Sequence, residues 1–249
     1  MSADEQGAEG LSTAGSSAAG LGVGRVRSLN VGSERENPAP RRVSTGIFKQ
    51  PIDGPVAIAD PGPRDPEAPV ASGVSGDFVG DRAHHGGRFQ AVYAFDRAEL
   101  DWWEEQLGRP LHDGMFGENL TLESVAVDDA VIGELWQIGT ARLRVTEPRI
   151  PCGTFAGVME EQGWIKRFTQ RARSGAYLAV DAPGEVRRGD EVRVISRPEH
   201  GITVAEAFRA RTLERDLAPR VLQAGEDLSP KLLDRLQALI GGADPNLPS

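Results

Sequence analysis

The amino-acid sequence predicts a mainly β fold with helical insertions: a barrel or compact bent sheet, followed by a small helical extension. Three observations predict it. Many runs of strand length are bounded by Gly, Pro and Asp turn signals. An amphipathic helix pattern interrupts them near residue 100. From Thr203 onward the chain turns to helix caps and helical periodicity. With 249 residues, 39% of them apolar and 26% charged, the chain can bury a real core.

Residues 1–20 are rich in Gly, Ala and Ser and are expected to be disordered, because they cannot bury enough surface to offset their ordering entropy. The first strand is expected in "VGRVRSLNV", through Val23, Val26 and Leu29. A second strand region, "GIFKQPIDGPVAI", is broken at Asp53-Gly54-Pro55, and "ADPGPRDPEAP" reads as a surface loop. "RFQAVYAF" is a strand-length run. In "DRAELDWWEEQLG", Asp96 and Glu99 have the spacing of a capping box. Leu100, Trp103 and Leu107 share one face, and Gly108 can stop the helix.

"GELWQI" and "GDEVRV" each open a short strand with a Gly-acidic turn. Between them "ARLRVTEP" alternates, with Ala141, Leu143 and Val145 on one face and Arg142 and Arg144 on the other. "AYLAV" is a further buried strand, "TFAGVMEEQG" a plausible helical stretch, and "WIKRFTQRARSG" reads as a solvated helix face. In the last section Thr203 and Glu206 form a capping box. Ser229 caps a helix with Pro230 at its first position and Gly241 as its stop, and "RDLAPRVLQ" is a weaker helix between them. Leu232, Leu233, Leu236, Leu239 and Ile240 are expected to form an apolar face. The expected organisation is a tail over 1–20, a β-barrel domain over 21–201 and a three-helix extension over 202–245.

A net charge of −9 argues against nucleic-acid binding, which needs clustered Lys and Arg. No apolar run approaches the ~18–20 residues of a membrane span. The N-terminus lacks the basic start and apolar block of a secretory signal, and one cysteine allows no internal disulfide. A cytoplasmic location is expected.

That one cysteine, Cys152, lies in "TEPRIPCGTF". It is either a small core hydrophobe or a reactive thiol. Its place after a strand, before a helix start and near Arg149, favours the thiolate, which is also the ligand for soft metal centres. A zinc cage is not expected, since there is no second cysteine and no His at ligand spacing. A papain-like nucleophile with His84 or His85 has no local support. "GDRAHHGGRFQAV" carries adjacent histidines that point to opposite faces if the segment is extended. Gly86 and Gly87 permit a sharp turn or a close approach to a ligand. The segment is either a tight turn or an anion cradle with Arg82 and Arg88 nearby. In "FGENLT", Asn119 and Thr121 would face the same side of a strand. Lys49 is a lone basic residue in an apolar setting, read as a snorkelling surface lysine or a ligand group. His112 and His200 read as surface residues.

Taken in order, "GD…HHGG…AVYAF…WW", "FGENLT" and "PRIPC" resemble the MOSC family, named for the C-terminal domain of molybdenum-cofactor sulfurases. The resemblance covers roughly residues 22–245 and is strongest to the YiiM-like bacterial branch, in which a small three-helix tail follows the MOSC domain. It implies a β-barrel with helical insertions and a molybdopterin-type molybdenum cofactor. By the resemblance, Cys152 is the metal ligand or sulfur carrier. Lys49, His84, His85, Gly86, Gly87, Asn119, Thr121 and Arg149 line the cofactor pocket, with the phosphate held by the His-Gly-Gly segment and by Lys49 or Arg149. The implied activity is reduction of N-hydroxylated compounds, including hydroxylated nucleobases, with His84 or His85 delivering a proton. The alternative is a non-catalytic carrier of cofactor or persulfide sulfur. No flavin or iron–sulfur motif is present and pyridoxal phosphate is not expected, so electrons must come from a separate protein. A second copy of the chain, giving a homodimer, is also among the expected partners. One departure stands out. Family members often have an acidic residue two places after the second Gly, followed by Lys or Arg. Here Phe89 and Gln90 occupy those places, which leaves open whether a polar side chain supports the site at that point.

Overall fold

The computed structural model describes residues 21–39, 43–68 and 71–242. The expectation for residues 1–20 therefore lies outside the described residues, as do residues 243–245 of the expected extension. The strands in chain order are β1 (Leu21–Val31), β2 (Gln50–Pro51), β3 (Val56–Ile58), β4 (Val92–Asp96), β5 (Leu120–Glu123), β6 (Leu135–Ile138), β7 (Ala141–Pro148), β8 (Ala176–Ala182), β9 (Gly184–Val186) and β10 (Glu191–Ser196). The helices are α1 (Arg97–Leu107), α2 (Gly153–Met159), α3 (Trp164–Arg171), α4 (Val204–Thr212), α5 (Ala218–Val221) and α6 (Pro230–Ile240).

Seven strands hydrogen-bond in the order β10-β6-β7-β8-β4-β5-β1, and β1 pairs back onto β10 to close a barrel. Closure leaves no open edge in that ring. All its pairings are antiparallel except β4 with β5. That exception follows from α1, which crosses over between the two strands, as parallel neighbours require. β2 adds to the far side of β1, and β3 and β9 form a separate two-stranded ribbon.

The barrel interior follows the alternation in the sequence. Ala141, Leu143 and Val145 of β7 are fully buried, together with Trp136, Ile138, Leu120, Leu122, Val92 and Leu178 from neighbouring strands. A second core lies under α1, α2 and α3 and is largely aromatic, with Phe95, Trp103, Phe116, Phe155, Trp164 and Phe168 beside Leu100, Leu111 and Met159. Its rings meet mostly edge to face, with centroids 5.1 Å apart for Phe116–Phe155 and for Phe155–Phe168. The segment "WIKRFTQRARSG" is thus more than a solvated face. Trp164 and Phe168 are buried in this core, and Arg171 on the other side bridges both oxygens of Glu99 at 2.8 Å. That bridge occupies Glu99, so only half of the predicted capping box at α1 forms: Asp96 accepts from Ala98 N, and Gly108 ends the helix. The first part of "RFQAVYAF" is also not strand. Arg88–Gln90 form a single 3-10 turn before β4 begins.

The C-terminal helices share the barrel's core. Ile132 N donates to Ile202 O and Val204 N to Ala130 O, both at 2.9 Å. Ala207, Val221, Leu232 and Leu236 are buried in the same cluster as Trp136 and Val145. The caps at Thr203 and Ser229 form, although the box predicted at Thr203 is again half made, since the Glu206 carboxylate pairs with Arg220. The apolar face of α6 is shorter than predicted, because Ile240 in the last turn is 54% exposed. Truncation after Ile202 is expected to leave an insoluble chain or one without a cooperative melt. It removes several fully buried side chains worth roughly 1.5–3 kcal/mol each, against a total stability of about 5–15 kcal/mol. Solubility and calorimetry of the truncated chain check this. Among the described residues, no helix is long and apolar enough to cross a membrane.

Candidate functional site

The site forms where β7 ends. After Pro148 the chain runs through Arg149, Ile150 and Pro151 to Cys152, which is extended (φ −131°, ψ 170°) and occupies the N-cap position of α2. Its carbonyl accepts from Ala156 N, so its side chain stands at the open end of the helix. Phe155, one turn in, is anchored in the aromatic core and fixes that end. The His-His-Gly-Gly segment lies opposite. Its backbone is a turn rather than extended chain: His84 N and His85 N both donate to Asp81 O. The two imidazoles still diverge. His84 is exposed and pairs through Nδ1 with Asp81 at 2.8 Å. The imidazole of His85 lies on the side of Cys152, close enough to act on its thiol.

These neighbours set the state of the thiol. Burial pushes Cys152 up. The hydrogen bond from His85, the charge of Arg149 and the Phe155 backbone N–H outweigh burial and bring the thiol down to about 6. Above that pH the thiolate predominates. Because the folded value lies below the unfolded one, the thiolate also stabilises the fold. That contribution is complete above the unfolded thiol's value and is lost as pH falls toward 6. In cofactor-free protein, alkylation of Cys152 by iodoacetamide is expected to rise with pH through a midpoint of about 6, against about 8.5 for an ordinary thiol. His85→Ala should raise the midpoint. A wild-type midpoint at the ordinary thiol value would show that Cys152 is not activated.

Arg149 is 5% exposed. Its guanidinium lies 3.7 Å from the Phe155 ring centroid and 5.7 Å from that of Tyr93, and its Nη1 is buried without a partner. Cation–π contact offsets part of the cost of burying this charge, but this N–H has no acceptor in the protein. Burial pushes the neighbouring Tyr177 phenol up to about 12, against the pull of Arg149, so it stays protonated. Cys152, His85 and Arg149 line one cavity, whose enclosed part is about 120 Å³.

Lys49 lines the same cavity but is already neutralised. Its ammonium pairs with Asp77, and both side chains are buried. Asp77 also accepts from Gly32 N (2.8 Å), Ser72 Oγ (2.8 Å) and Asn119 Nδ2 (2.9 Å). Asn119 faces the cavity, yet its amide joins three strands' worth of chain: Oδ1 accepts from Tyr93 N, and Nδ2 donates to Asn30 O. Thr121 is not brought to the cavity. It is fully buried, and its hydroxyl accepts from Asn30 Nδ2 (3.0 Å) and donates to Glu118 Oε1 (2.8 Å). A bulge in the β1 partner between Val26 and Ser28 breaks the simple register there, and Asn119 itself precedes β5. Burial raises the pKa of Glu118, whose carboxyl also accepts from Gly114 N and Phe116 N.

Gly86 (φ 76°) and Gly87 (φ 77°) serve a close approach to protein rather than to a ligand. A Cβ at Gly86 would meet Ala71 O at 2.5 Å, and one at Gly87 would meet Arg64 N at 2.7 Å. The Gly87 N–H is also taken, by Ala71 O at 2.9 Å. Gly86 does line the cavity. The polar role left open after the glycines falls to Gln90. Its Nε2 donates to the buried Glu147, and its Oε1 is buried without a partner beside Cys152's cavity. Sequence reading missed Asp77, Gln90, Glu147 and Tyr177. Glu147 alone had a signal, since it continues the buried face of Ala141, Leu143 and Val145.

Among the described residues no three His, Cys, Asp or Glu side chains converge on one point. A metal at Cys152 would therefore arrive with most of its ligands attached. One activated thiol and one unpartnered guanidinium N–H fit such a group, which needs a soft ligand and carries negative charge. Lys49, paired with Asp77, does not fit as a phosphate clamp.

Comparison with known proteins follows the same line. The MOSC domain is matched over residues 81–193. The chain is 30% identical to YflK of Bacillus subtilis over 185 residues, 74% of this chain and 79% of that protein. It is 25% identical to YiiM of Escherichia coli over 171 residues, 68% of this chain and 71% of that protein. A Gibberella moniliformis protein named reductase is 28% identical over 208 residues, but this chain spans only 34% of it. Among solved structures, YiiM from Geobacillus stearothermophilus matches with a TM-score of 0.69 and 27% identity, over 87% of this chain and 98% of that one.

Proposed function

The chain belongs to the MOSC domain family, and from that premise we propose that it is a molybdenum-cofactor-dependent reductase of N-hydroxylated compounds, with Cys152 as the protein ligand to the metal. The observation that carries this reading is the setting of Cys152: a thiol brought down to about 6 by His85 and Arg149, opening onto a cavity. The kinship with a fungal protein named reductase supports the redox class.

When bound, the cofactor would supply the two electrons of the reduction. The net change is R–NH–OH + 2 e⁻ + 2 H⁺ → R–NH₂ + H₂O, in which the N–O bond breaks and the oxygen leaves as water. The residues of the chain do the rest. Cys152 contributes one sulfur. Arg149 Nη1 holds negative charge beside it. His85, beside the sulfur, would pass a proton to the departing oxygen, whereas His84 faces solvent. Electrons come from a separate protein.

The test is metal and pterin analysis of protein expressed in a cofactor-competent host, followed by turnover of 6-N-hydroxylaminopurine with a chemical reductant. Stoichiometric molybdenum with turnover is the expected result. Bound molybdenum that exchanges readily and never turns over would move the protein to the carrier class. Absence of both metal and pterin would refute the reading.

A further inference from the structure

Distant stretches of chain meet at one carboxylate beside the thiol. Glu147 is buried near the end of β7, on the run that leads through Arg149 to Cys152, and shares a second cavity wall with Cys152 and His85. A bulge at Thr146 interrupts the register of β7 with β8, so that Val145 pairs with Leu178 and Glu147 with Tyr177. Thr146 and Glu147 both grip the 3-10 turn that follows the glycines. The Thr146 hydroxyl shares its one hydrogen between Phe89 O at 2.7 Å and Tyr177 O at 2.9 Å, and Glu147 Oε1 accepts from Gln90 Nε2. Gln90 N in turn donates to Gly87 O at 2.9 Å, which passes the grip to the segment that carries His85.

The other carboxylate oxygen belongs to the extension. Glu147 Oε2 accepts from the hydroxyl of Ser229, the N-cap of α6, and that hydroxyl oxygen accepts from Leu232 N at 3.1 Å. Lys231, in the first turn of α6, adds a longer tie: its Nζ donates to His84 O at 3.5 Å. The bridge from Ser229 through Glu147 to Gln90 is the stronger link, because all three residues are buried. A carboxylate can only accept, so Glu147 needs both donors. Losing either one leaves a buried oxygen bare and favours opening the bridge to water.

We propose that Glu147 is a positioning residue that keeps the His85 segment at Cys152, and that it does so only while Ser229 of α6 holds its second oxygen. The extension is thereby part of the site without reaching the reacting atoms, and release of α6 loosens the His-His-Gly-Gly turn. The coupling itself goes beyond the reductase reading, and its effect on turnover rests on that reading.

Coupling is reciprocal, so each end of the bridge can be altered and the other end read, by amide hydrogen exchange on the full cofactor-free chain. Ser229→Ala is expected to speed exchange at His85, Gly87 and Gln90, whose amides bond to Asp81 O, Ala71 O and Gly87 O, by about fivefold to tenfold. Ser229→Thr keeps the hydroxyl and is expected to leave them as in wild type. Gln90→Leu does not touch the cap of α6, yet is expected to speed exchange at Leu232 and Leu233, which bond to Ser229. It carries the same test should Ser229→Ala fail to fold. Amides of β6 should keep wild-type protection throughout. Effects confined to each variant's own end, or spread evenly over the barrel, overturn the proposal. In the loaded enzyme, Ser229→Ala is expected to lower kcat about tenfold with little change in KM, and to add nothing to His85→Ala. Losses that add would overturn the route through His85. Coupled exchange in a loaded protein that never turns over would refute the reductase reading and leave the positioning role standing.

Discussion

Serine in place of Cys152 is expected to abolish reductase turnover while leaving the fold intact. The substitution changes little volume, and the side chain stands at a helix N-cap, a position serine occupies well. What it removes is a soft anion. A serine hydroxyl stays protonated near neutral pH and cannot replace a thiolate at a soft metal. Loss of roughly a thousandfold or more in rate, about 4 kcal/mol of barrier, is expected. Pterin content should fall less than activity, because Arg149 still offers its unpartnered N–H. X-ray absorption at the molybdenum edge distinguishes the causes. One fewer sulfur neighbour in the variant supports direct ligation. An unchanged sulfur count would make Cys152 a packing or carrier residue and leave the proposed reductase without its ligand.

The largest effect on stability is expected at Asp77. This carboxylate holds Lys49, Gly32 N, Ser72 and Asn119 together in the interior. Asp77→Ala leaves the ammonium of Lys49 buried with no counter-charge and strands three donors. Removing one member of a buried pair costs roughly 3–5 kcal/mol. For a domain of this size that corresponds to a melting point lower by about 6–20 °C. The double variant Lys49→Met/Asp77→Ala should recover part of the loss, because no lone charge remains. A single variant within ~1 kcal/mol of wild type by urea denaturation would show that Lys49 reaches solvent instead. The same pair sets Lys49 apart from Arg149: one cation already has its counter-charge in the interior, and the other has an N–H without a partner.

What the sequence disclosed and what it withheld divide along contact range. The faces of "ARLRVTEP" and the caps at Asp96, Thr203 and Ser229 are local patterns, and each forms. The order of strands around the barrel is not local; the strand pattern left a barrel and a bent sheet both open, and only the family resemblance chose between them. At the site, Arg149 and Cys152 are legible because three residues of chain join them. Asp77 reaches Asn119 across 42 residues of chain and Ser229 reaches Glu147 across 82, and no spacing rule reaches that far. Thr121 shows the reverse error. Its spacing from Asn119 suggested a shared face, but a strand that begins only at Leu120, against a bulged partner, sends its hydroxyl to Asn30 and Glu118.

The pairing of β1 with β10 also sets a clock on synthesis. Leu21 to Arg25 find their partners in Glu191 to Val194. A ribosome adding about 5–20 residues per second needs roughly ten to thirty seconds to cover that interval. Until then the Leu21–Gly24 end of β1 has no strand partner, while β5 and β2 hold the rest, and that end is open to any extended segment nearby. Chain order, rather than the stability of the finished barrel, decides how long the newborn protein is exposed to mispairing. Slowing translation anywhere between β5 and β10 should therefore lower the yield of soluble protein without altering the molecule that is finally made.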